Sequence, residues 1–452
     1  MSGLVATARL WSDDKSIALT KYTSHGHVPN PIARHFEAPH PVQNLTFGPL
    51  ALAGAVARTA TVRDDAPPVV LDALKRSTLP MLEAMIEDGL TFALSSNFQH
   101  LADAERTFFA ARVGSGIADL YMNAMGYTWR ANAACLSSVL DPHADFLYEG
   151  GNASGHGVVL AEAHGSFAKN ASAASVHLKA KNKYLEQVKP HLGKNSEYGK
   201  VIHGYCVAFG SAPGTSGAFL SLSETKTKKP KEKKGDPPAP TFPDTSRERD
   251  TPTSIALAAH RSNFFLMGSD QLVSWIDWVR SKDRPLPAIT PLVFLRLQYA
   301  SRRYLIPVSS LWWLDPLHNW WPEFFDNERQ WRHMLRWSLR PRSGRWPHLG
   351  CFAIEEGAGM AFLDALTGLI QNGPDSMPDM VRLPDLEPAG FGFGDETSAR
   401  GRDDGGYQYA LFRDGLALLG NPQRGRPRGV LTWAPKEGMA IDEWPENLTN
   451  AG

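Results

Sequence analysis

Residues 141–169, DPHADFLYEGGNASGHGVVLAEAHGSFAK, constrain the chain more than any other stretch. Two short apolar runs, 144–148 and 158–164, flank a turn rich in Gly, Asn and Ser, and β-compatible runs divided in this way predict a hairpin. Side chains two apart on a strand share a face and sit about 6–7 Å from each other, so Glu162 and His164 are expected to point the same way. Asp145 comes from the partner strand and can face them. Two carboxylates and an imidazole converging at the end of a hairpin can hold a divalent metal beside an activated water. The same residues would also suit a half-exposed hairpin whose polar face meets only water. Asp141, His143 and Asp145 alternate too and, joined by His164, offer a rival ligand set of the kind a metallohydrolase of another fold would use. Pro142 inside that run argues against a regular central strand there.

The elements around the hairpin follow from periodicity. Residues 1–70 are rich in Pro, His and turn residues, with short strand-like pieces such as Leu45, Thr46 and Phe47. Val69, Val70, Leu71, Leu74, Leu79, Leu82, Met85 and Ile86 then recur at helical spacing. Residues 100–125 predict a second helix, with Phe108, Phe109, Ile117, Leu120 and Met122 as its packed face and Glu105 and Asp119 as its acidic residues. Residues 127–140 read as a strand, 172–192 as a helix ending near Pro190, and 201–209 as a buried strand. The order is therefore helix, strand, strand, strand, helix, strand.

An Asp opening one strand, followed by Glu-x-Lys at the end of the next, is the signature of the PD-(D/E)XK nuclease superfamily. This chain resembles it through Ala144-Asp145, sixteen intervening residues, and Glu162-Ala163-His164-Gly165-Ser166, with EAHGS where EAKGS is the family's pattern. The resemblance covers roughly residues 100–210. It implies an α/β (α+β) fold with a restriction-endonuclease-like core of a mixed central sheet flanked by helices. It also implies hydrolysis of DNA phosphodiester bonds, with RNA as an alternative substrate, and Mg²⁺ or Mn²⁺ held by Asp145, Glu162 and the carbonyl of Ala163. His164 stands in the place of the lysine that orients the water in that family. Imidazole titrates near pH ~6.5 and could serve as a general base, or could bind the metal and tilt selectivity toward Mn²⁺. Lys169 or Lys179 are the candidates to supply the missing ammonium. Glu105 or Asp119 would be the acidic residue lent by the preceding helix, and Gln187 resembles a glutamine that some members place near the metal. Restriction, repair and anti-phage defence are the settings the resemblance implies, with other subunits of a defence complex as partners.

Flanking regions add expectations about organisation. Six lysines fall between Lys226 and Lys234 and prolines follow; such a segment cannot bury a core and reads as a disordered linker or insertion over 224–254. That gives an N-terminal region at 1–95, the nuclease-like core at 96–223, and a Trp/Arg-rich region at 255–452 that is expected to be mainly helical. Within it, residues 271–279 read as a helix. Residues 310–346 hold seven of the thirteen tryptophans, and Arg329, Arg332, Arg336 and Arg340 recur as one basic stripe, a candidate nucleic-acid surface. The Asp414-Gly415 step favours a hairpin turn.

Composition excludes some classes. The formal net charge is zero, so a generally basic DNA coat is excluded while a local basic patch is not. No apolar run reaches eighteen residues, so no membrane span is expected, and the first residues lack a signal-peptide pattern. The three cysteines are widely spaced and odd in number, which fits a reducing, cytoplasmic setting. No GxxxxGK[ST] loop occurs, which argues against ATP-driven work. A metal-dependent nuclease is the first expectation. A non-catalytic nuclease-fold binding or scaffold subunit and an unrelated metallohydrolase are the alternatives.

Overall fold

The structure is a computed structural model that describes residues 4–6, 10–26, 38, 44–63, 66–136, 142–150, 157–215, 217–226, 248–281, 284–308, 349–394 and 407–443. The fold is mixed α/β, with a central mixed sheet flanked by helices. That sheet is built from β2 (Lys15–Gly26), β3 (Asn44–Phe47), β4 (Arg130–Asn132), β5 (Phe146–Glu149), β6 (Gly157–Ser166), β8 (Gly199–Gly210), β9 (Phe219–Lys226) and β15 (Phe391–Phe393). The spatial order is β15-β3-β2-β9-β8-β6-β5-β4, and the two-residue β7 (Asn195–Ser196) pairs with β8. β4 pairs antiparallel with β5 and β5 with β6, whereas β8 lies parallel to β6. The parallel step needs a crossover, and α4 (Ala173–Lys183) supplies it.

Two helices enclose this sheet. α4 packs against β8 and β9, while α3 (Asp103–Ala124) packs on β6 and β8. Contact between α3 and β6 is made by backbone. A Cβ built on Gly165 would lie 1.7 Å from the Ala110 carbonyl oxygen, and one on Gly114 would lie 2.5 Å from Gly165 Cα. Only glycine fits at these positions, and the close seating fixes which face of β6 looks away from α3. Outside α3, α1 (Pro49–Thr61) packs on α3, on α2 (Pro68–Met85) and on α5 (Thr253–Leu266).

The expected helices over 69–86 and 100–125 and the strand over 201–209 are present as α2, α3 and β8. The strand expected over 127–140 is shorter: β4 gives way to a 3₁₀ turn at Ala133–Leu136, where the Asn132 side chain accepts from the Ala134 N–H at 2.7 Å. A side-chain oxygen that takes over a backbone donor in this way ends a strand.

Two expectations are corrected. Residue 95 is not a boundary, because β2 and β3 from the N-terminal region belong to the central sheet and β2 pairs in parallel with β9. Nor is the C-terminal region mainly helical. It forms a second, antiparallel sheet, in the order β16-β17-β13-β12-β11-β18-β19. Its strands are β11 (Leu292–Tyr299), β12 (Arg302–Pro307), β13 (Leu349–Glu355), β16 (Tyr409–Leu411), β17 (Leu416–Leu419), β18 (Arg426–Ala434) and β19 (Gly438–Glu443), with β1 (Leu4–Ala6) against β13. The physical signal is the alternating burial along β18, a period of two rather than 3.6. Leu295, Leu297 and Ile306 belong to an apolar cluster separate from the main core, to which Phe294 and Leu305 belong. Gly415, with φ +88°, makes the expected turn between β16 and β17.

α6 (Asp270–Arg280) and α7 (Glu356–Asn372) pack together, and α7 lies on the second sheet. β10 (Glu248–Pro252) pairs with β14 (Met380–Pro384). The 224–254 segment therefore begins in β9 and ends in β10 and the first residues of α5; its Lys/Pro-rich middle lies outside the described residues. Among the described residues no helix is long and apolar enough to cross a membrane.

Candidate functional site

The hairpin register brings the two carboxylates together. Phe146 pairs with Ala161 and Leu147 with Leu160, so Asp145, one residue before β5, falls opposite Glu162. The Ala163 N–H donates to Asp145 Oδ2 at 2.9 Å, which ties that carboxylate to β6, and the two acidic side chains share a hydrogen bond. Glu162 is buried (4 % exposed). Asp145, His164, Lys183 and Gln187 are half-buried.

Burial pushes Glu162 well above the usual carboxylate range. The charge of Asp145 adds to the shift, and Lys183 opposes it. Asp145 is also raised, again first by burial, against the opposing Ala163 N–H. Two carboxylates forced together out of water cannot both ionise without a compensating cation. Among the described residues, no guanidinium hydrogen-bonds to either one.

The lid over the pair comes from α4 and the π-helical turn that continues it, Tyr184–Val188. Gln187, with its amide nitrogen turned toward Glu162, donates to Oε1 at 2.6 Å and to Oε2 at 2.7 Å, while its oxygen accepts from Lys183 Nζ at 2.8 Å. This hydrogen-bond pattern assigns the amide orientation. π-turns widen a helix locally and often mark functional sites. Cys206 pairs with Glu162 across β6 and β8; burial, then the charges of Glu162 and Asp145, raises its thiol well above the ordinary range.

His164 shares the outward face of β6 with Glu162. Burial first, then Lys183 and Lys179, pulls its imidazole down to about 4, so the ring is neutral at neutral pH rather than titrating near 6.5. Its Nε2 is buried without a hydrogen-bond partner. Among the described residues, no group of three or more His, Cys, Asp or Glu gathers as a metal site, so His164 does not join the carboxylates as a ligand. The donor set among the described residues is then two carboxylates. That set suits a hard cation that takes oxygen ligands and keeps several waters, as Mg²⁺ does.

The other expected residues fall elsewhere. Lys169 is exposed in the turn after β6, and Lys183, which the sequence reading did not single out, holds the position near the carboxylates. Lys179, on the same helix flank, faces His164. Glu105 caps α3 by accepting from the Ala102 N–H at 2.8 Å in an exposed first turn. Asp119 is fully buried in an ion network, 3.5 Å from Arg58 and hydrogen-bonded to Tyr148 at 3.0 Å. His143 Nδ1 lies 2.7 Å from its neighbour's carbonyl, Ala144 O, and Asp141 lies outside the described residues. So do Arg329, Arg332, Arg336 and Arg340.

Two arginines were missed. Arg112, on α3, and Arg63, beyond α1, both act electrostatically near Asp145. Nothing local in the sequence marks them, because α1 and α3 meet the hairpin only in the folded chain. A scan against protein-family models, a search of curated proteins and a search of solved structures each return no match.

Proposed function

We propose that the chain is a metal-dependent nuclease that hydrolyses DNA phosphodiester bonds, with Asp145 and Glu162 as the metal-binding carboxylates. The observation that carries this reading is the carboxylate pair itself: two acids from adjacent strands, in hydrogen-bond contact and raised by burial. Supporting it are the order α3, β4, β5, β6, α4, β8 and the parallel pairing of β6 with β8, which agree with the resemblance of the Asp145 and Glu162-Ala163-His164 stretch to PD-(D/E)XK nucleases.

When bound, Mg²⁺ or Mn²⁺ would neutralise phosphate charge and make a water acidic enough to attack. The chain's own residues have separable parts. Asp145 and Glu162 would hold the cation, and the Ala163 N–H keeps Asp145 oriented. Gln187 orients Glu162 through both of its oxygens and hands its own oxygen to Lys183. Lys183 supplies the ammonium that the family's motif carries at the position of His164, and it would offset the charge of the scissile phosphate. Neutral His164, with a free Nε2, accepts a hydrogen bond from the attacking water.

The test is cleavage of plasmid and linear DNA, and of RNA, with Mg²⁺ or Mn²⁺, comparing wild type with Glu162→Gln, Lys183→Met and His164→Ala. Cleavage by the wild type that is lost in Glu162→Gln is the expected result. Absence of cleavage by every form on every substrate would overturn the reading. A second reading, a nuclease-fold subunit that binds without cutting, is favoured by one observation: His164 does not make up a third ligand among the described residues.

A further inference from the structure

α4 presents cations along both of its flanks. Lys179 and Lys183, four residues apart, face His164 and Glu162. His177 and Lys181, also four apart and therefore neighbours on the helix surface, lie on the other flank, against β2. There His177 Nε2 is 3.1 Å from Thr23 Oγ1, and the His25 ring stacks on Tyr184 at 4.3 Å. Lys21 on β2 and Lys189, just beyond the π-turn, extend the same flank. The charges of Lys181, Lys189 and His177 act on His25, and those of Lys21 and Lys181 act on His177.

These charges are not neutralised in place. Lys21, Lys181 and Lys189 are exposed, and among the described residues none of the three has an ion-pair partner. Nε2 of His25 and Nδ1 of His177 have no hydrogen-bond partner. The neighbouring carboxylates are Glu224, which accepts from the Tyr22 hydroxyl, and exposed Glu186 on the π-turn. In a chain whose formal net charge is zero, such a concentration of one sign is a local device, and cationic clusters of this kind neutralise phosphates. Apolar surface lies among the cations on α4 and its π-turn: Leu178 is 57 % exposed and Leu185 37 %. Apolar groups beside a cationic track are what unstacked bases cover.

We propose that Lys21, Lys181 and Lys189, grouped around His25 and His177, bind the phosphodiester backbone of the nucleic acid whose scissile phosphate reaches Asp145 and Glu162. The proposal rests on the nuclease reading and adds to it the path of the strand, which crosses α4 from one cationic flank to the other. The helix with its side chains is about 10 Å across, so both flanks can engage one strand.

The experiment is fluorescence anisotropy of labelled single-stranded and duplex oligonucleotides with the full chain in EDTA, where cleavage cannot intervene, between about 50 and 200 mM salt. The variant combines Lys21→Ala, Lys181→Ala and Lys189→Ala, all exposed positions. Arg426→Ala with Lys436→Ala on the second sheet is the control. Each lost phosphate contact removes roughly 0.7–0.9 from the slope of log K against log salt. The triple variant is therefore expected to bind at least about tenfold more weakly at low salt, with a slope shallower by about 2 to 3, while the control is unchanged. Wild-type affinity and slope in the triple variant, or no binding of either oligonucleotide by the wild type, overturns the proposal. Failure of the nuclease reading looks different: no cleavage by any form, yet lysine-dependent binding intact, would leave the track standing. Cleavage and binding that both survive the triple variant would remove the track and leave the nuclease.

Discussion

Two of the places where this molecule buries carboxylates treat them in opposite ways. At the seam between the central sheet and the second sheet, Asp119 and Asp414 lie fully buried with Arg58 and Arg130. Arg58 reaches Asp414 Oδ2 at 2.9 Å and Arg130 reaches it at 3.2 Å, while Asn263 donates to the same oxygen at 3.0 Å. Burial alone would raise Asp414, but the two guanidiniums and the amide outweigh it and hold the carboxyl below its usual range. Asp145 and Glu162 have no such partners and are raised. Two acids and two guanidiniums make a closed, neutral structural knot. Two acids left to an amide, the Lys183 ammonium and the more distant charges of Arg63 and Arg112 stay above their usual range, and in the proposed function a bound cation would complete their charge balance.

The largest expected effect falls on the knot. Arg130→Met leaves a buried charge short of its partner and should destabilise the fold by about 3–5 kcal/mol, read from denaturant unfolding midpoints. Glu162→Gln should do the reverse at the other place: it removes a desolvated, repelled acid, so stability should hold or rise by up to ~1 kcal/mol while cleavage falls about 10³-fold. A large stability loss in Glu162→Gln would mean that the pair is a second structural knot.

Gly165→Ala comes next. Its new methyl would meet the Ala110 carbonyl, so a cost of about 1–3 kcal/mol is expected, with cleavage lowered because β6 must shift relative to β5. A smaller effect separates His164 from the carboxylates. The unfolded chain titrates its imidazole near ~6.5, whereas the folded ring stays neutral down to about 4. As pH falls through that window the unfolded state takes up the proton first, so the native state loses stability. The ring is half-buried, and solvent screening limits the loss to about 1 kcal/mol. Urea midpoints at either end of the window should differ less in His164→Gln than in the wild type, and equal differences would show that this ring does not carry the effect.

Much of the site was legible because its logic is local. Strand alternation put Glu162 and His164 on one face, the hairpin put Asp145 opposite Glu162, and the helix that follows carried Gln187. What escaped depended on docking. Lys183 rather than Lys169 lies near the pair because the seating of α4 on β8 and β9 decides which of its lysines reaches β6. Asp119 looked like an acid that α3 could lend, yet its helix turns it toward Arg130 on the next strand and toward Arg58, distant in the chain. β2 joins the sheet by parallel pairing with β9 across some two hundred residues, and no local pattern records that. The second sheet was misread as helical because the three-to-four-residue spacing of the arginine stripe and the helix over 271–279 dominate the pattern of its region, while its strands alternate only weakly in sequence.

Calorimetric titration of Mn²⁺ and Mg²⁺ into the wild type and Glu162→Gln, in buffers of different ionisation heat, tests the contrast between the two carboxylate sites most directly. A cation that completes the charge balance of the pair must displace the proton held there. The expected result is saturable uptake with release of about one proton in the wild type, weakened strongly in the variant. No uptake by the wild type, or uptake that is the same in both proteins, would contradict the reading of Asp145 and Glu162 as a site completed from outside.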